Sequence, residues 1–125
     1  MTLFFYFLGN LVTVLGRDER IVGHQGIGAV RDQLIVLMLA ERGVRRTGGA
    51  KRLNAYLSNE QRSCLEAIPS AGCKPADIIA ANQNLCHEFI RRGTALARTT
   101  GHQWPQAFVD ATLAHLHRHF GVDFG

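Results

Sequence analysis

"PADIIAANQNLCHEFIRRGTALARTTG", residues 75–101, decides the fold. Ile78, Asn82, Leu85, Phe89, Gly93 and Leu96 recur at steps of three and four, with Cys86 beside them. That spacing puts them on one face of an α-helix. Pro75 suits the first helical position, where its missing N–H would have no partner anyway. Gly101 suits the end, where the chain must leave the helical conformation. A helix of this length has to bury its apolar face, and the flanking sequence offers only further helices for it to pack on.

Downstream, Trp104 and Pro105 open a last helix. Its stripe is Val109, Leu113, Leu116 and Phe120, flanked by Phe108 and Thr112, and Gly121 ends it. Upstream, "PSAGCKP" (69–75) is a turn. Before it, Ser58 and Gln61 form the S-x-x-Q capping box, so a short helix is expected from near Asn59 to before Pro69. A longer helix precedes that one. Asp18 and Glu19 suit its positive dipole end, and Ile27, Val30, Leu34, Leu37 and Met38 form its buried face, with Gly43 as the stop. Gly23, Gly26 and Gly28 weaken its first half by about 1 kcal/mol each relative to alanine. Either that half frays or a neighbour packs very close.

"MTLFFYFLGNLVTVLG" (1–16) resembles a membrane segment at first sight. The apolar run from Leu3 to Leu15 is shorter than the roughly 20 residues a span needs. It also lacks the basic start and small-residue cleavage site of a signal peptide. Thr2, Tyr6, Asn10, Thr13 and Arg17 recur at helical spacing and make one wet stripe. The segment therefore reads as a core helix from Leu3 to Leu15, ended by Gly16. No stretch alternates with period two, and there is no internal repeat. The expected fold is all-α, an irregular bundle of about five helices in a single domain, 1–125.

A chain that is 46% hydrophobic and 19% charged can bury a core and is not disordered. The net charge of +4 favours anionic partners. The basic charge is local. Arg42, Arg45, Arg46, Lys51 and Arg52 fall together with no acid among them. A nucleic-acid surface spreads its basic residues along a face with aromatics among them. Here the aromatics lie elsewhere, which argues against nucleic acid. Cys64, Cys73 and Cys86 match no zinc or redox spacing. They read as reduced thiols in a cytoplasmic protein, buried as small hydrophobes.

The basic stretch fails as a Walker loop, because Gly49 stands where the lysine would follow Gly48. The N–H groups of Thr47, Gly48 and Gly49 can still form an anion nest, with the arginines as clamps. The competing reading is a solvated connection at a helix C-terminus, where arginine favours the negative dipole end. His115 and His119 lie one turn apart, within reach of one metal ion, but no third ligand stands at a diagnostic spacing. Arg17 and His24 fit the loose R-x(4–6)-H pattern of HEPN-type RNases, in which His is the general acid or base and Arg holds phosphate. No catalytic triad and no paired carboxylates stand out.

The order of pieces carries a resemblance. An aromatic first helix is followed by "AVRDQLIVLMLAERGVRR" (29–46) and "GGAKRLNAYLSNEQRSCLEAIP" (48–69), then a long helix, then "WPQAFVDATLAHLHRHFG" (104–121). This resembles the C-terminal helical half of bacterial nucleotidyltransferases, the group that includes aminoglycoside and lincosamide adenylyltransferases. The resemblance implies a division of labour. A separate α/β domain with a G-S motif and a D-x-D pair would hold Mg²⁺ and the nucleotide triphosphate, and the helical half would close the cleft and shape the acceptor site. This chain has no G-S followed by D-x-D, so no catalytic residue carries over and no cofactor is expected on the chain itself. Met1 running into an apolar helix reads as a start within a longer protein, or as a helical remnant. Alone, the chain is expected to be inactive and prone to self-association. Its expected partner is a catalytic domain in cis or in trans.

Overall fold

The computed structural model describes residues 1–44 and 50–125, with backbone alone at 50–52. Five α-helices make up the described chain: α1 (Thr2–Gly16), α2 (Arg20–Glu41), α3 (Asn59–Ala67), α4 (Pro75–Thr100) and α5 (Gln106–Phe120). A 3-10 turn, Ala50–Ala55, precedes α3. No strand occurs among the described residues, and the architecture is the irregular all-α bundle the spacing predicts. α2 packs along α4 and on α1, and α1 also packs on α5.

α4 is the spine. Pro75 sits at its N-terminal turn and Gly101 caps it in the left-handed conformation at φ 74°. Ile78, Asn82, Leu85, Cys86, Phe89 and Gly93 are buried, as the 3–4 spacing requires. α1 is a core helix. It buries Phe4, Phe5, Leu8 and Leu11 and leaves the stripe Thr2, Tyr6, Asn10, Thr13 and Arg17 exposed. The Phe4 ring stacks on Phe89 with centroids 3.9 Å apart, and Phe5 meets Phe89 edge-on at 5.6 Å. Trp104 lies over Gly93, where a Cβ would stand 2.9 Å from the indole Cη2. Glycine at 93 is what lets the loop before α5 close on α4. No described helix is long and apolar enough to cross a membrane.

α1 ends at Gly16 as expected, and Asp18 makes the following turn at φ 57°, where its carboxylate accepts from Arg20 Nε at 2.8 Å. Asp and Asn tolerate that conformation better than other side chains, because they can bond locally. Three local expectations are corrected. The α2 glycines differ among themselves. Only Gly23 is at a close approach, with its would-be Cβ 3.1 Å from Leu15 Cδ2, while Gly26 and Gly28 have nothing within 4 Å. Phe108 is exposed rather than packed beside the α5 stripe. Cys73 is also exposed, since it lies in the turn between α3 and α4; Cys86 is fully buried and Cys64 half-buried.

Candidate functional site

The basic stretch begins at Arg42, just after α2, and ends in the 3-10 turn; a polar network holds the α2 side of it. The network starts from Arg92. This residue comes three after Phe89 and four before Leu96, so α4 aims it into the bundle, and it is only 5% exposed. A buried guanidinium is tolerated only with charge partners and filled hydrogen bonds. Arg92 has three carboxylates from three helices. Nη1 donates to Glu41 Oε1 at 2.8 Å, Nε donates to Glu88 Oε2 at 3.2 Å, and Nη2 donates to Glu60 Oε1. Arg91 Nη2 adds a second donor to Glu88 at 2.7 Å.

Gln61 extends the network. It completes the Ser58 capping box, with Ser58 N–H donating to its Oε1 at 3.0 Å and its own N–H donating to Ser58 Oγ at 3.1 Å. Its Nε2 then reaches Met38 O at 2.8 Å and Glu41 Oε1 at 3.0 Å. One residue thus caps α3 and ties it to the end of α2. Arg62 Nη1 donates to Asn54 O at 3.0 Å, which fixes the 3-10 turn on α3. Glu41 immediately precedes the basic stretch, so its entry is pinned to α3 and α4, and the 3-10 turn at its end is pinned to α3.

The electrostatics follow from these contacts. The hydrogen bond from Arg92 holds Glu60 below the usual carboxylate range, against a smaller opposing effect of burial. Burial pushes Glu88 up, yet hydrogen bonds from Arg91 and Cys64, with the charge of both arginines, bring it out below its ordinary value. Burial and the charge of Glu88 push the Cys64 thiol up. Cys86 is pushed up to about 12 by burial alone. These are the signs of a locked ion cluster and of inert thiols, not of an activated nucleophile.

The residues singled out in the sequence separate in space. Arg42 is exposed and caps α2. Arg45 and Arg46, and the side chains of Lys51 and Arg52, lie outside the described residues. His115 and His119 sit on one face of α5 with ring centroids 4.7 Å apart. Among the described residues, no group of three or more His, Cys, Asp or Glu side chains is placed to hold a metal. Arg17 is the C-cap residue after α1 and His24 sits in α2, where its Nδ1 is 3.1 Å from Gly72 O. No hydrogen bond joins Arg17 to His24 among the described residues.

Sequence reasoning missed Arg92, although two signals were present. It falls on the apolar face of α4, and Glu88 stands four residues before it, the helical pairing distance. Comparisons with protein-family models, with curated proteins and with solved structures return no match.

Proposed function

We propose that this chain is the helical, substrate-side domain of a nucleotidyltransferase-like protein, without catalytic chemistry of its own. The observation that supports this reading is the Arg92 cluster. It joins Glu41, Glu60 and Arg92, one from each of the first two phrases of the resemblance and one from the long helix, into a single unit. The third phrase is joined to the same helix through Trp104 against Gly93. The resemblance is thus borne by parts that pack together rather than by scattered words. In this reading the basic stretch binds a phosphate-bearing nucleotide or a polyanionic acceptor. Mg²⁺ and the nucleotide triphosphate belong to the partner domain.

The test is nucleotidyl transfer. Residues 1–125 are incubated with Mg²⁺, labelled ATP and an aminoglycoside and lincosamide acceptor panel. The expected result is no labelled product from the chain alone. Robust transfer by the isolated chain would contradict the reading. A second reading, a non-enzymatic module that docks an anionic partner, rests on the same five basic residues. It predicts that Arg45→Ala with Arg46→Ala weakens binding and flattens its salt dependence.

A further inference from the structure

The first half of α2 and the turn that follows α3 enclose an open depression of about 430 Å³. Its polar lining is His24, Gln25, Arg31 and Ser70, and its walls include Ile27 and Ile68. No carboxylate lines it. His24 and Arg31 are seven residues apart in α2, two helical turns, and therefore share a face. Gly28 lies between them, and the space beyond its α-carbon is open.

Two hydrogen bonds define what these side chains have left to offer. Gly72 O can only accept, so His24 donates to it from Nδ1 at 3.1 Å. That fixes the tautomer and leaves Nε2 as the ring's remaining polar atom. Nε2 can accept from a P–OH or, carrying a proton, donate to a P–O⁻. Arg31 spends one Nη2 donor on Leu65 O at 3.3 Å and pairs with no carboxylate among the described residues. A guanidinium has five donors in a planar fork suited to two phosphate oxygens. Ser70 and Gln25 add a hydroxyl and an amide.

The geometry points to a binding site for a small phosphate ester, with Arg31 and His24 on the phosphate and Ile27 and Ile68 against the organic part. The volume falls in the range of small-ligand sites. The site is separate from the basic stretch at the other end of α2, and it stands independently of the nucleotidyltransferase reading.

The test is an NMR titration of ¹⁵N-labelled residues 1–125 with inorganic phosphate and with a nucleoside 5′-monophosphate. Saturable shifts are expected at Gln25, Gly28 and Ser70, with the ester binding several-fold tighter than free phosphate; equal affinity would assign the site to free phosphate. Arg31→Gln removes the charge. Gly28→Leu fills the depression from an unobstructed position and favours the helix, so it does not put folding at risk. Each variant is expected to weaken binding at least tenfold. Absence of shifts at these residues, or affinity unchanged in both variants, would overturn the proposal and move any anion binding to the basic stretch.

Discussion

Arg92 is the residue on which the bundle's polar interior depends. Removing one member of a buried ion cluster strands the others, at a typical cost of about 3–5 kcal/mol. Arg92→Ala takes the buried partner from Glu41 and Glu88, which are 24% and 27% exposed, while Glu60, 64% exposed, is screened by solvent, so the loss by urea denaturation is expected at or below the low end of that range. Gly93 tests the neighbouring contact. A methyl group there meets the Trp104 indole, and overpacking of this kind costs about 1–3 kcal/mol. The cysteines give a separate check. Cys73 is exposed, whereas Cys86 is buried with its thiol pushed up to about 12. A thiol reagent is expected to label Cys73 rapidly in the native protein and Cys86 only after unfolding. Rapid labelling of Cys86 under native conditions would mean that α4 is not packed as described.

At the scale of elements, α3 is the shortest α-helix and owes most to its cap. Ser58→Ala removes the hydroxyl that accepts from Gln61 N–H and is expected to cost about 1 kcal/mol. Gln61→Ala is expected to cost more, because it also frees Met38 O and Glu41; equal losses would contradict the shared role. The capping box was legible in the sequence because it is a local device with a fixed spacing. So were the faces of α4 and α1, since periodicity reports burial directly. What stayed illegible needed partners distant in sequence. Glu41, Glu60 and Arg92 meet only once three helices have packed, and the joining of His24 to Gly72 depends on how the turn after α3 folds back on α2. The left-handed turn after α1 was also illegible, because Asp18, a residue that carries no fixed turn signal, takes that conformation.

For the whole molecule, the ion cluster sets the response to acid. Glu60 and Glu88 both titrate below their ordinary value of 4.5 in the folded protein. A carboxylate depressed by folding adds stability above its unfolded pKa and loses it as pH falls through the folded value. Stability should therefore hold near neutral pH and decline below about pH 4.5. Glu60 is 64% exposed, so solvent screens its share and the effect rests more on Glu88. Arg91→Ala, which removes the hydrogen bond that does most to lower Glu88, should flatten this acid limb, and an unchanged limb would contradict the assignment. Function at this scale depends on what the bundle packs against. On the proposed reading a catalytic domain completes it, and the coding DNA tests that most directly. Translating the sequence upstream of the Met1 codon and the adjoining reading frames is expected to reveal a segment with G-S followed by D-x-D, either in frame or as a neighbouring subunit. Its absence from both would contradict the nucleotidyltransferase reading and leave the bundle as an anion-binding module.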